Sequence, residues 1–363
     1  MTIGVGGSTI EIELDKLSNM TANVVTISAT EFQTRINKAQ QLMREQNISA
    51  LYLDAGTNLH YFTGLKWYKS ERMVGAILPA EGDLEFIAPH FEESSLLSNM
   101  LIQGTYNGWH EDESPYLLFA RILTKMGITQ GKIAIDESAA FFVFDGLRKA
   151  APTFEFCNGA DISAPCRQIK STAEIALMQQ VNDMTIKVHK AAARILHPGI
   201  STVEVTDFIN EAHKRVGASG SSFCIVLFGV ATSYPHGVKD PQILQDNDWV
   251  LIDTGCSIGN YISDITRSYV FGEPNSHQRK LWQVEKDAQQ AAFDAAILGN
   301  PCANIDIAAR DYLASQGMGP DYQTPGCPHR TGHGIGLDIH EWPYLNRGDK
   351  TLLKTGMCFS NEP

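Results

Sequence analysis

The sequence predicts two domains, an α/β domain followed by an α+β domain. The chain has 363 residues, and at roughly 100 to 200 residues per domain this length suggests about two. In the first half, β-rich runs alternate with helical stretches, whereas the second half begins with two consecutive helices and continues into strands, further helices and a stretch rich in glycine and histidine. We therefore divide the chain into residues 1–27, a loose extension that contributes little to function, an N-terminal domain over 28–165 and a C-terminal domain over 166–363.

The first domain opens with a capped helix. Ser28 and Glu31 have the spacing of a capping box, and an apolar stripe at helical spacing follows them. The predicted strands that come next are 50–53, 74–78, 84–87 and 133–135, with a helix over 115–126 between the third and the fourth. This alternation favours an α/β domain.

The second domain opens with two more capping boxes. Ser171 with Glu174 and Ser201 with Glu204 begin helices that end near residues 197 and 217, where glycine or proline interrupts the pattern. Strands are then predicted at 223–230, 249–253 and 261–271, and helices at about 277–297 and 304–315. The order of these elements predicts an α+β domain.

Composition excludes several classes of function. Lys and Arg number 29 against 41 for Asp and Glu, a net charge of −12 without a basic run, so we expect no nucleic-acid partner. Seven cysteines without a C-x-x-C pair favour reduced thiols and a cytoplasmic protein over a disulfide framework or a structural zinc site. The longest apolar run, 223–231, is too short for a membrane helix, so we expect no membrane partner.

Two aspartates form the first candidate site. Apolar β-rich runs flank a Gly259-Asn260 turn, and we predict a hairpin in which Asp253 and Asp264 lie directly opposite each other. Like charges at the distance of cross-strand partners destabilise a sheet unless a cation lies between them, so the pair indicates a hydrolytic site for two divalent metal ions. The alternative is a pair of solvated aspartates near a turn, where Asp is common.

Histidines form the second candidate site. Residues 329–341 contain His329, His333 and His340 among closely spaced glycines, which make a helical H-E-x-x-H zinc pair improbable and permit close backbone approach. Neutral imidazole is a frequent ligand for zinc, manganese or cobalt. His236 and Glu362 are candidate site residues only because the aspartate and histidine motifs accompany them. Alone, a histidine or glutamate in such a position is more often a surface residue.

Together these residues resemble the pita-bread metallohydrolases, which include aminopeptidase P, prolidase, methionine aminopeptidase and creatinase. The shared spacing is an Asp, a second Asp eleven residues on, a His within G-H-G-I-G and a Glu in an E-P pair. Residues 57–64 and 70–72 look like the creatinase-type N-terminal domain, so the resemblance spans about 28–363. It implies a creatinase-type α/β domain followed by a pita-bread catalytic domain, and the closest branch is that of Xaa-Pro aminopeptidase and prolidase.

The resemblance also implies a metal site. Asp264 would bridge two divalent ions, Asp253 would hold one of them, and His333 with Glu362 would hold the other. We expect manganese, with cobalt or zinc as alternatives. The family has a further glutamate after the E-P pair, and this sequence stops at Pro363, so we expect that the catalytic domain is truncated here and that the natural product is longer.

The catalytic residues are implied in the same way. Hydroxide shared by the metals would attack the peptide carbonyl, Glu362 would relay the proton, and His340 would stabilise the oxyanion. His236 would steady the substrate, and His329 would line the pocket for proline.

We therefore expect a homodimeric, cytoplasmic metallopeptidase that hydrolyses the bond before proline in small peptides, as an Xaa-Pro aminopeptidase or an Xaa-Pro dipeptidase. One alternative is a hydrolase of another small C–N bond on the same fold, creatinase-like or ectoine-hydrolase-like. Another, if the chain naturally ends at Pro363, is a catalytically silent homologue used for binding.

Overall fold

The computed structural model describes residues 4–363 and divides into two compact units. One unit comprises residues 27–167, and the other joins the residues before 27 to residues 168–363. The division thus falls between Arg167 and Gln168, against an expected boundary of 165/166.

The first segment is not the loose extension that the sequence suggested. Residues Ile10–Asp15 form helix α1, capped by the Thr9 side chain. Ile10 and Leu14, four residues apart on one face of α1, pack against the apolar core of the C-terminal unit, and Leu17 after the helix packs against the same core. Glu13 is buried and pairs with Arg194 of that unit. The segment therefore belongs to the fold of the C-terminal unit.

The N-terminal unit is an α/β domain, as expected. Its helices are α2 (Ala29–Glu45), α3 (Thr57–Thr63), α4 (Glu93–Asn99), α5 (Pro115–Lys125), α6 (Phe141–Ala150) and α7 (Ala160–Arg167). Its strands are β1 (Ile48–Asp54), β2 (Gly75–Pro79), β3 (Leu84–Pro89), β4 (Gly104–Trp109), β5 (Lys132–Ile135) and β6 (Glu155–Asn158).

These strands form one mixed sheet in the order β4-β3-β2-β1-β5-β6. The β1–β2 and β2–β3 pairs are antiparallel, and the other neighbours are parallel. Helices α5 and α6 bury apolar side chains such as Phe119 and Leu147 in the same cluster as Tyr52 of β1, which makes the sheet one layer of a packed core.

The C-terminal unit contains the remaining elements. Its helices are α8 (Thr172–Ile195), α9 (Thr202–Arg215), α10 (Ser276–Ala295) and α11 (Ala303–Ser315). Its strands are β7 (Phe223–Phe228), β8 (Trp249–Gly255), β9 (Ser257–Ile258), β10 (Tyr261–Ile262), β11 (Ile265–Val270), β12 (Gly332–Gly334) and β13 (Glu341–Leu345). Strands β7, β8 and β11 form an antiparallel sheet with β8 in the centre, and β12 pairs with β13.

Helices α8 and α9 begin as their sequences predict. Ser171 with Glu174 and Ser201 with Glu204 both form complete capping boxes. Apolar residues of both helices enter one core with β7 and β8, including Val181, Val205 and Ile252. None of the helices that the structure describes is long and apolar enough to cross a membrane.

The hairpin around the Gly259-Asn260 turn forms, but its register differs from the expected one. Asp253 pairs with Thr266, not with Asp264. Ile258 pairs with Tyr261 in the same register, so the hairpin is centred on the turn itself, and Asn260 adopts a positive φ of 67° that such turns require. A direct Asp253–Asp264 pair would need a centre one residue earlier, at a point where no turn occurs.

Candidate metal centre

The two aspartates meet diagonally across the hairpin. Because Asp253 lies opposite Thr266, Asp264 is two residues from the direct partner and on the same face of the hairpin. The two carboxyl groups are close enough to affect each other's pKa, and the Thr266 side chain also acts on the pKa of Asp253. Burial raises the pKa of both carboxyl groups, and the charge of Asp253 adds to the effect at Asp264.

His333 approaches this pair from strand β12. Its Nε2 atom lies 3.6 Å from Asp264 Oδ2, and its side chain is 3% exposed. The Nδ1 atom lies 3.1 Å from the carbonyl oxygen of Gly334 and can donate there, which leaves Nε2 to face the carboxylates. Gly334 is required at this point, because a Cβ atom there would lie 2.2 Å from the Trp342 carbonyl oxygen.

Glu362 lies on a segment that is bonded to the same strand. The Ser360 N–H donates to the His333 carbonyl at 2.8 Å, and the Glu362 N–H donates to the Thr331 carbonyl at 2.8 Å. Glu362 Oε1 is 3.1 Å from His333 Nε2 and accepts a hydrogen bond from the Ser360 hydroxyl. Although burial opposes it, the contact with His333 lowers the pKa of Glu362.

These side chains fit a divalent metal site. Asp264, His333 and Glu362 each present one ligand atom within 4.8 Å of the others. Asp253 joins the group through Asp264, and its Oδ1 atom is buried without a hydrogen-bond partner. Because an unpartnered buried carboxylate oxygen is costly, a cation in contact with it would remove the penalty. The structure thus brings together all four residues that the sequence singled out as metal ligands.

One of the other predicted site residues, His340, lies beside this group. The His340 ring packs on the His333 ring with centroids 4.0 Å apart, and its Nδ1 atom is 3.4 Å from an Arg330 guanidinium nitrogen. Burial and the neighbouring His333 lower the pKa of His340. His236 is exposed and near enough to His340 to affect its pKa.

His329 lies on the segment that leads into β12. Its Nδ1 atom is 3.9 Å from Cys327 Sγ and 2.9 Å from the Arg330 carbonyl oxygen. The contact with Cys327, together with the Arg330 carbonyl, raises the pKa of His329 to about 9. The side chain is exposed and stands outside the group of ligand atoms.

Sequence reasoning missed the buried ion pairs that hold these segments. Lys170 Nζ lies 2.6 Å from Glu341 Oε1, and both side chains are almost fully buried. Arg310 pairs with buried Asp306 at 2.8 Å and donates to the carbonyl oxygens of Cys327 and His329. Lys170 directly precedes a predicted capping box and Glu341 directly follows His340, but a single sequence gives no signal that residues 170 and 341 meet.

Two family descriptions match the chain. The model of metallopeptidase family M24 matches residues 176–363, and the creatinase/prolidase N-terminal domain matches residues 35–169. The N-terminal match ends at residue 169, and the M24 match begins at residue 176.

Individual proteins agree with this match. A protein of Bacillus subtilis (strain 168) with the provisional name dipeptidase YkvY is 30% identical over 334 residues, which cover 91% of this chain and 90% of its own length. The prolidase from Thermococcus sibiricus is 30% identical with a TM-score of 0.81, covering 90% of this chain and 88% of that one. Dipeptidase PepE from Mycobacterium ulcerans is 29% identical with a TM-score of 0.85, covering 93% and 89%. The chain therefore belongs to metallopeptidase family M24, with a creatinase/prolidase N-terminal domain and a pita-bread catalytic domain.

Proposed function

We propose that this protein hydrolyses the peptide bond before proline in dipeptides or short peptides with two divalent metal ions, manganese first among them. The observation that carries the proposal is the convergence of Asp253, Asp264, His333 and Glu362, with one buried Asp253 oxygen that has no partner. Prolidases among the structural neighbours support the substrate class.

In this proposal the four side chains divide between two cations. Asp264, His333 and Glu362 would hold one, and Asp253 with Asp264 would hold the other. When bound, the cations supply Lewis acidity and a hydroxide nucleophile at neutral pH. Three carboxylates and one imidazole suit manganese, although cobalt and zinc accept the same ligands.

Protein side chains handle the protons. Glu362 takes the proton of the attacking water and passes it to the departing nitrogen, and its contacts with His333 and Ser360 hold the carboxylate in place. His340, packed on His333, donates a hydrogen bond to the oxyanion of the tetrahedral intermediate.

In this proposal the exposed residues His236 and His329 recognise the substrate. His236 steadies the peptide near His340, and His329 contacts the proline ring from the segment before β12. Proline has a tertiary amide and no N–H, so a site of this kind must recognise its ring and carboxyl end instead of a backbone donor.

The proposal is tested by assaying the chelator-treated protein with Xaa-Pro dipeptides, Xaa-Pro tripeptides and matched Xaa-Ala peptides before and after manganese is added. We expect release of the free amino acid only from the proline peptides and only with metal. Parallel assays with cobalt and zinc compare the turnover that each metal supports. Comparison of dipeptides with tripeptides distinguishes a dipeptidase from an aminopeptidase. No turnover of Xaa-Pro peptides, together with turnover of a cyclic amidine, would contradict the proposal and favour the hydrolysis of another small C–N bond on the same fold.

A ligand variant and a matched control complete the test. Asp264→Asn should reduce turnover by at least about 100-fold. Loss of a residue that only hydrogen-bonds to a metal ligand already lowers metal affinity or activity roughly 10- to 100-fold, and loss of a ligand itself should have a larger effect. Asp246→Asn, at an exposed position of the same unit, should leave turnover unchanged. Equal activity of the two variants would exclude Asp264 as a metal ligand.

We propose further that the protein is a homodimer of the cytoplasm that acts on small peptides and binds neither nucleic acid nor membrane. Its seven free cysteines suit a reducing compartment. Sedimentation equilibrium tests the dimer: a monomer at micromolar concentration would contradict it.

A further inference from the structure

Asp264 stands on an irregular part of the hairpin. Residues 263–264 lie between β10 and β11 and outside both strands, so the strand pairing does not fix this carboxylate by itself. A ligand between two metal ions must be held to within about 0.5 Å. The groups that hold the backbone on either side of Asp264 therefore matter for its position.

The residue before Asp264 is held by helix α8. The Thr185 hydroxyl lies 2.7 Å from the Ser263 hydroxyl, which accepts from the Cys256 N–H at 3.0 Å and donates to the Cys256 carbonyl. Thr185 also lies 3.2 Å from His213 Nε2. Thr185 and His213 are fully buried, so these bonds have no competition from water.

One assignment of protons satisfies this whole chain of groups. His213 donates from Nε2 to Thr185, Thr185 donates to Ser263, and Ser263 donates to the Cys256 carbonyl. His213 Nδ1 then accepts from the Ser221 hydroxyl at 2.9 Å. Because every polar group in this hydrogen-bond network has a partner, the network can fix the position of Ser263 relative to helix α8.

The residue after Asp264 is held by the same helix. His189 Nε2 lies 2.9 Å from the Ile265 carbonyl oxygen, which can only accept, so the ring donates. The His189 side chain is buried, and burial lowers its pKa to about 4, which leaves a neutral ring. Thr185 and His189 are four residues apart and therefore lie one above the other on one face of α8.

We propose that Thr185 and His189 are positioning residues that clamp the backbone on both sides of Asp264 and thereby set the affinity of the metal centre. This inference rests on the metal site of the proposed function. The rest of the buried face of α8 supports it, since that face is largely apolar, with Val181, Met184 and Val188 around the two polar side chains. Apolar residues there would fill the core without the cost of burying polar groups, so the polar pair serves the segment that it contacts.

The test separates hydrogen bonding from core packing. Thr185→Val and His189→Leu keep similar volume and remove the bond, whereas Thr185→Ser and His189→Gln retain a donor. Manganese is titrated calorimetrically into the chelator-treated full chain, and urea unfolding of the metal-free protein is measured in parallel. We expect the first two variants to bind manganese about 10- to 100-fold more weakly and the second two to stay within about threefold of the unmodified chain.

A control and two outcomes decide the result. Val205→Ala, in the same apolar core on α9, should lower the free energy of unfolding without weakening manganese binding. The positioning role is excluded if Thr185→Val and His189→Leu bind manganese as tightly as the unmodified chain does. It is also excluded if Thr185→Ser and His189→Gln lose as much manganese affinity as Thr185→Val and His189→Leu. Failure of the unmodified chain to cleave Xaa-Pro peptides would overturn the proposed substrate alone, because the manganese titrations would still decide the roles of Thr185 and His189.

Discussion

Asp54 in the N-terminal unit is a buried carboxyl group with a raised pKa. Its side chain accepts a hydrogen bond from the Tyr52 hydroxyl at 2.9 Å and lies near Asp136. Burial, with the charge of Asp136, raises the pKa of Asp54 to about 6 against the hydrogen bond from Tyr52. The unfolded chain loses this proton near pH 4, whereas the folded protein keeps it until about pH 6, so stability falls as the pH rises through this window.

Asp54→Asn should therefore stabilise the protein at pH 8 by roughly 2 to 3 kcal/mol and have little effect at pH 3, below the pKa of the unfolded chain. The asparagine oxygen can still accept from Tyr52, so the packing is retained. Urea unfolding at both pH values measures the difference. Asp83→Asn, at an exposed position, is the control and should have no effect at either pH. An equal gain from Asp54→Asn at both values would show that charge is not the cause.

Gly255 of β8 lies against the Ser263 backbone. A Cβ atom there would lie 1.7 Å from the Ser263 carbonyl oxygen, just before Asp264. Gly255→Ala should therefore displace the segment that carries Asp264, lower the free energy of unfolding by about 1 to 3 kcal/mol and weaken manganese binding. In contrast, Gly348→Ala meets only the tip of the Asn346 side chain at 3.2 Å. Calorimetric titration of both variants makes the comparison, and unchanged binding by Gly255→Ala would mean that the segment tolerates the shift.

At the scale of elements, the Lys170–Glu341 pair joins the start of α8 to the start of β13. The ammonium and carboxylate are 2.6 Å apart and almost fully buried. Removal of either partner leaves an unpaired buried charge, which typically costs about 3 to 5 kcal/mol, whereas replacement of both by apolar groups is often tolerated.

We expect Lys170→Met and Glu341→Leu each to destabilise the protein by about 3 to 5 kcal/mol and the double variant to recover much of that loss. Urea unfolding of the four proteins gives the coupling free energy. The exposed pair between Lys132 and Glu155 is the matched control and should show a coupling below about 1 kcal/mol. If the double-mutant cycles of the buried and the exposed pair give the same coupling free energy, burial does not determine the strength of the Lys170–Glu341 interaction.

Elements with strong local signals were predictable from the sequence, and elements without them were not. The capping boxes of α8 and α9 form as expected, because the cap depends on residues three apart. Strands β4 and β6 were missed, since their exposure pattern shows little apolar alternation and parallel partners supply their place in the sheet. The predicted register of the Asp253 hairpin was wrong, because Asp253 pairs with Thr266, two residues after the predicted partner. The position of the turn was predicted correctly.

The candidate site was more predictable than the fold that supports it. Metal-ligand chemistry restricts its residues to a few types, so Asp264, His333 and Glu362 could be selected by type and spacing. The groups that hold them, such as His189 and Lys170, could not, because a buried histidine or lysine carries no local signature of its distant partner.

At the scale of the whole molecule, the residues before 27 are part of the C-terminal unit. The Gly6 N–H donates to the Ala193 carbonyl, the Met20 N–H donates to the Val216 carbonyl, and Glu13 pairs with Arg194. Deletion of residues 1–26 should therefore uncover apolar surface on α8 and α9 and destabilise the C-terminal unit by several kcal/mol, at about 25 cal/mol per Å² exposed. Thermal unfolding of the deletion variant measures this loss.

The control for the deletion is Glu11→Gln in the full chain, because Glu11 is exposed on the same short helix. We expect its melting temperature to equal that of the unmodified protein. A deletion variant that melts at the same temperature as well would show that the segment adds no stability.

This arrangement has a consequence for the order of events on the ribosome. Helix α1 is translated before the N-terminal unit, yet its partners in α8 are translated only after the whole of that unit. At about 5 to 20 residues per second, the apolar face of α1 waits roughly 10 to 40 s for those partners. During that interval it is a natural target for chaperones that bind nascent chains.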